Sequence, residues 1–158
     1  MIFEIVIERI YIDTSVVGGF FDEEFSEPTK RLFKRLESNE VKFVISDLLV
    51  LELTHAPKHV SELLLNYPTD RFERVELTDE SMTLADNYIR AKVVGRTSLE
   101  DCRHIALATI NHVHALASWN FKHIVNLDRI KGYNSVNLKL GYAIIEIRTP
   151  QELVSYDD

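Results

Sequence analysis

The sequence predicts an α/β fold with a mainly parallel sheet. Segments of strand composition alternate along the chain with segments of helical period, and helix-start residues punctuate the alternation. The length, 158 residues, matches one domain spanning 1–158. No repeat, low-complexity tract or linker interrupts it.

The elements follow in order. Phe3 to Ile12 reads as a strand rich in Ile, Val and Tyr, ending at Asp13-Thr14-Ser15, and Gly18-Gly19 reads as a turn. A helix is expected from Glu27-Pro28 to about Glu37, with Leu32, Phe33 and Leu36 as its apolar face. Val41 to Ile45 is a second strand. Ser46 is placed to cap a helix from Asp47 to about Leu53, which Pro57 cannot continue. A weaker helical stretch, Lys58 to Leu65, precedes an extended run from Phe72 to Leu77. Thr78 then caps a helix through Val94, with Gly95 as its stop. Ser98 opens a helix to about Asn111, and Val113 to Ser118 and Ala143 to Ile147 are further strands. Thr149-Pro150-Gln151-Glu152 is a capping-box start with proline at the first helical position.

Composition narrows the class. Apolar residues make up 46% and charged residues 27%, ordinary globular usage. No apolar run approaches the ~18 residues of a membrane span, and the N-terminus lacks the pattern of a signal peptide. The lone Cys102 excludes an internal disulfide, which fits a reducing cytoplasm. The net charge of −7 has the wrong sign for a protein that coats nucleic acid electrostatically. A nuclease can still carry it, because carboxylates that hold metal are part of the count; it also suits a basic partner, and solubility alone accounts for it.

Three acids stand out. In open α/β sheets ligands bind beyond the carboxyl ends of strands, where Asp13 and Ser118-Trp119-Asn120 lie. Asp13 also suits a plain turn whose side chain bonds back to the backbone. Glu52 sits in Leu48-Leu49-Val50-Leu51-Glu52-Leu53, a helix apolar nearly all round and therefore expected to be buried. A carboxylate there needs a partner, a metal or a rim position. Asp101 has the competing explanation of a helix-start cap, Ser98-x-x-Asp101. At 100° per residue, Asp101 falls at the margin of the apolar face of its helix and Glu100 nearly opposite it. One acid from each of three elements can form a hard oxygen cage for Mg²⁺ or Mn²⁺.

Ile10-Tyr11-Ile12-Asp13-Thr14-Ser15, Glu52 after Ser46, Asp101-Cys102-Arg103-His104-Ile105-Ala106-Leu107-Ala108 and Ala117-Ser118-Trp119-Asn120-Phe121 together resemble the ordered signature of PIN domains, a family that includes VapC-like toxins and other metal-dependent ribonucleases. The resemblance implies a three-layer PIN-like fold, helices flanking the sheet. It implies that Asp13, Glu52 and Asp101 are the catalytic acids of a metal site, and that Thr14 or Ser15 steadies it, with Ser118 in support. It further implies an RNA substrate, an antitoxin partner and a homodimer. Many family members carry a fourth acid where this chain has Asn120, a neutral and weaker ligand, which leaves one-metal chemistry or a second metal recruited with the substrate phosphate. Phosphodiester hydrolysis would then proceed by water attack with the phosphate polarised by the metal. Arg103, Lys122 and Arg129, with Arg96 and Lys131, are the candidates to grip flanking phosphates.

Other constellations fall away. His55 and His59 have i, i+4 spacing, but Pro57 breaks the helix between them, and no cysteine pair assists a zinc site. Phosphate-cradling glycine patterns are absent. A haloacid-dehalogenase phosphatase needs a second Asp where Ser15 stands, and a pepsin-like protease needs Gly there. Trp119 and Phe121 could stack on bases, but packing explains them better. The rival to a nuclease is a PIN-like module that binds nucleic acid or protein without catalysis.

Overall fold

The computed structural model describes residues 6–154. Five strands, β1 (Glu8–Ile12), β2 (Val41–Ser46), β3 (Phe72–Val75), β4 (Ala115–Ala117) and β5 (Ile147–Arg148), form one parallel sheet in the order β3-β2-β1-β4-β5. Among the described residues eight α-helices surround it: α1 (Thr14–Gly19), α2 (Ser26–Glu37), α3 (Asp47–Thr54), α4 (Lys58–Ser61), α5 (Asp79–Arg90), α6 (Leu99–Ile110), α7 (Leu127–Lys139) and α8 (Pro150–Val154).

The period-2 rule of strands sorts the core into two layers. In β1, Ile10 and Ile12 face one layer and Tyr11 the other; in β2, Phe43 and Val44 divide the same way, as do Ala115 and Leu116 in β4. The Tyr11 side is covered by α5, α6 and α7, the Ile12 side by α1, α2, α4 and α8. The helix α3 touches both layers, with Leu48 in one and Leu49 and Leu53 in the other. That double contact is the reason its sequence is apolar on nearly every side. One flank still meets solvent, where Leu51 is 59% exposed.

Capping chemistry sets most boundaries. Ser46 Oγ accepts from the Leu49 amide at 3.1 Å. Thr78 and Ser81 close a reciprocal capping box, and Thr149 with Glu152 close another. Several expectations need correction. The first strand begins only at Glu8, and the part expected over Phe3 to Ile5 lies outside the described residues. Gly18-Gly19 is not a turn but the last turn of α1, a helix the sequence hid behind two glycines and Val16-Val17. The α5 helix stops at Arg90, four residues early, because Lys92 takes the left-handed conformation (φ 60°) assigned to Gly95. Lys58 to Leu65 divides into α4 and a 3-10 turn, Leu63–Asn66. The whole of α7 was unforeseen. It is capped by Asn126, whose side chain accepts from the Asp128 and Arg129 amides.

Candidate metal centre

The chain visits β2 and β3 on one side of β1, then crosses to β4 and β5 on the other. The switch point between β1 and β4 is where an open parallel sheet leaves a crevice beyond its carboxyl ends. Register pairs Ile12 with Ala117, so the next residues, Asp13 and Ser118, stand side by side. Ser118 Oγ donates to Asp13 Oδ2 at 2.5 Å, and Ser15 Oγ donates to Asp13 Oδ1 at 2.5 Å. The Val16 amide adds a bond to Oδ1 at 3.2 Å, so Asp13 also caps α1. The turn reading and the site reading of Asp13 are therefore compatible.

Glu52 reaches the same crevice from α3. Its Oε1 accepts from Thr14 Oγ1 at 2.5 Å and contacts His104 Nε2 at 2.7 Å. Asp101 comes from the first turn of α6. Ser98 makes no side-chain cap bond to that helix, which is entered through a 3-10 turn, Arg96–Ser98, so the capping-box explanation fails. Asp13, Thr14, Ser15, Glu52, Asp101, His104 and Asn120 line one open cleft of about 100 Å³.

Electrostatics separate the acids. Burial pushes the Asp13 carboxyl above its ordinary range, against the nearby His104 ring and the bonds from Ser118 and Ser15. Burial likewise raises Asp101, against His123 and His104, with Asp13 and Glu52 adding repulsion. Glu52 is also pushed up by its burial, but the His104 bond, the Thr14 hydroxyl and the Glu100 carboxyl carry it down on balance. Glu100 is exposed, yet it reaches Glu52, which the angular reading of α6 did not foresee.

Among the described residues, no three His, Cys, Asp or Glu side chains are already gathered tightly enough to hold an ion. The donors nevertheless suit one. Carboxylate and amide oxygens converge on the cleft, the hard set that Mg²⁺ and Mn²⁺ prefer. Two of the acids carry the burial cost that a cation would offset. Asn120 lines the cleft, but its Oδ1 accepts from the Lys122 amide at 3.2 Å and the His123 amide at 3.0 Å. Its carbonyl thus holds the turn after β4.

The basic candidates diverge. The Arg129 guanidinium donates to the Val93 carbonyl. Arg96 lines a different pocket, with Asp86 and Arg90. Lys122 and Lys131 are exposed. Arg103 Nε and His123 Nδ1 are buried without a hydrogen-bond partner among the described residues. His104 is the site residue that sequence reasoning missed. It is 3% exposed on an apolar helix, where a histidine reads as core packing. Its one signal was its place one turn after Asp101, on the same helical face.

No family model matches the chain. No curated protein matches it either. Solved structures do. One is VapBC2 from Rickettsia felis bound to a DNA fragment from its promoter, with TM-score 0.57 and 13% identity over 89% of this chain and 98% of that one. Another is FitAB bound to an IR36 DNA fragment, with TM-score 0.55 and 13% identity over 89% of this chain and 94% of that one. Both are toxin–antitoxin complexes whose toxin is a PIN-domain protein. At that identity the likeness speaks for the architecture, and with the strand order and the flanking helix layers it shows that this chain has the PIN-like fold.

Proposed function

We propose that this protein is a divalent-metal-dependent nuclease, with RNA as the substrate of first choice. One observation carries the reading: acids from the end of β1, from α3 and from the first turn of α6 line a single cleft at the switch point of the sheet. Asp13, Glu52 and Asp101 would hold Mg²⁺ or Mn²⁺, and Asn120 would contribute weakly or through water. The ion would supply positive charge that polarises a phosphodiester and acidifies water for attack. The protein's own part is orientation. Ser15 and Ser118 fix both oxygens of Asp13, Thr14 fixes one oxygen of Glu52, and Arg103 and Lys122 are the basic groups offered to flanking phosphates. The toxin–antitoxin nature of the structural neighbours supports an antitoxin as a protein partner here, and the acidic net charge favours a basic one.

Cleavage of mixed single-stranded RNAs, measured after EDTA treatment and again with each metal restored, tests this. Activity should vanish in EDTA and return with Mg²⁺ or Mn²⁺ without zinc. Full activity in EDTA overturns the proposal. The rival, a non-catalytic binding module, draws on Asn120, whose amide oxygen is engaged in a turn where a fourth acid would stand. Metal binding without cleavage of any RNA or DNA would favour it.

A further inference from the structure

Glu52 is held from behind by a chain of hydrogen bonds that begins and ends on its own helix. The Leu49 amide donates to Ser46 Oγ at 3.1 Å, at the start of α3. Ser46 Oγ lies 2.7 Å from Tyr11 Oη, and Tyr11 Oη lies 2.7 Å from His104 Nδ1. His104 Nε2 closes the chain on Glu52 Oε1 at 2.7 Å. Tyr11 and Ser46 are fully buried and His104 nearly so, so each polar atom must find its partner inside the protein.

The donors and acceptors fix the direction of the chain. An ionised carboxylate only accepts, so His104 Nε2 carries a hydrogen. In a neutral ring Nδ1 is then the acceptor, and Tyr11 donates to it. Ser46 donates to Tyr11, and its oxygen accepts from Leu49. Every link is satisfied in one arrangement. Thr14 and His104 both end on Oε1 and so fix the turn of the carboxylate, which Glu100 also reaches from the first turn of α6.

We propose that His104 is a positioning residue that, hydrogen-bearing at Nε2 and fixed in that tautomer by Tyr11, holds the Glu52 carboxylate in the orientation in which it lines the cleft and would hold a divalent cation. The inference rests on the metal-site reading above. The role is that of the hydrogen-bonded support behind a metal ligand, whose loss costs on the order of ten- to a hundredfold in metal affinity.

Two measurements on the full chain test it, both independent of cleavage. Nitrogen-15 NMR of the metal-free protein at pH 7.5 should show His104 as the Nε2–H tautomer, and Tyr11→Phe should release it into a mixture. A ring bearing hydrogen at Nδ1, or at both nitrogens, overturns the proposal. Calorimetric Mn²⁺ titration should show His104→Leu weakening binding by about ten- to a hundredfold. His104→Gln should recover most of that, because its amide nitrogen can donate to Glu52 and its carbonyl can accept from Tyr11. Should His104→Leu fail to fold, Tyr11→Phe, which keeps the ring and removes one hydroxyl, must still weaken Mn²⁺ binding several-fold. Equal affinity in wild type and variants overturns the proposal alone. A wild-type protein that binds no Mn²⁺ overturns the metal-site reading and the proposal with it.

Discussion

Asp101 is the site acid whose environment is least balanced. It is half-buried, its carboxyl is raised chiefly by that burial, and Asp13 and Glu52 repel it further. With its folded pKa above the unfolded value, its favourable contribution is complete below the unfolded pKa and is lost as pH rises through the folded one. The metal-free protein therefore carries a penalty at neutral pH that Asp101→Asn removes. After allowance for solvent screening, we expect a gain of about 0.5–1 kcal/mol at pH 7, or about 1–3 °C in melting temperature. The gain should shrink as pH falls through the raised folded pKa, where wild-type Asp101 takes up its proton, and should be gone below the ordinary carboxylate range. Cleavage in Mg²⁺ should collapse in the same variant. Melting curves in EDTA from pH 7 to 4, with rates in Mg²⁺, check both parts. An unchanged rate would return Asp101 to a purely structural role. The acids stood out in the sequence for different reasons: Glu52 as a charge in an apolar helix, Asp13 at the end of a strand, Asp101 at the margin of an apolar face, and the three together through the resemblance to the PIN signature. His104 did not, because a histidine among Ile105, Ala106 and Leu107 has the look of packing until Tyr11 and Glu52, 93 and 52 residues away, are brought to its two nitrogens.

At the scale of elements, α1 and α7 show where sequence patterning fails. The buried side of α7 includes Tyr133 and Asn137, while Leu127 and Leu138 are 69% and 62% exposed, so no clean apolar stripe marks it. Asn137 is buried because Tyr88 donates to its Oδ1 at 2.5 Å and Thr109 accepts from its Nδ2 at 3.3 Å. Only the folded neighbours reveal that. In α1 the two glycines have opposite meanings. A Cβ at Gly18 would meet nothing within 4 Å, whereas one at Gly19 would lie 2.7 Å from Trp119 Cδ1. Trp119 cannot easily retreat. It stacks on Phe25 at 4.3 Å, donates from Nε1 to Thr29 at 2.9 Å, and its amide donates to Ser15 Oγ at 2.8 Å. Gly18→Ala should accordingly stabilise by about 0.5–1 kcal/mol through helix propensity. Gly19→Ala should destabilise by about 1–3 kcal/mol through overpacking, and should slow cleavage as well, because Ser15 orients Asp13. Denaturant melts of the two variants make the comparison, and a stabilising Gly19→Ala would refute the close fit.

For the molecule as a whole, the parallel α/β order could be read in advance because strands, caps and helices alternate locally, while the layer each helix covers depends on long-range register. Charge behaves in the same way. The formal balance of −7 is visible in the sequence, but the availability of the basic residues is a property of the fold. Arg9 pairs with Glu73 at 2.7 Å, Arg74 with Asp47 at 2.9 Å, and Arg35 reaches Glu8 and Glu40 at 3.4 Å. Arg148 pairs with Glu146 at 2.6 Å, and Arg129 is turned to the Val93 carbonyl. On the proposed nuclease reading, Arg103 and Lys122 would be the phosphate contacts, alongside a bound cation. A single strand contacted through about two phosphates should show a binding constant that falls with salt at a logarithmic slope of about −1.4. That is far shallower than for a protein that tracks nucleic acid along a basic groove. Fluorescence anisotropy of a cleavage-resistant RNA, from 50 to 300 mM KCl at fixed Mg²⁺, measures the slope. Lys122→Gln should flatten it by about 0.7, with a modest loss of affinity across all sequences. A wild-type slope of about −4 or steeper would mean that six or more phosphates are held, and that the nucleic acid lies on a surface other than this cleft.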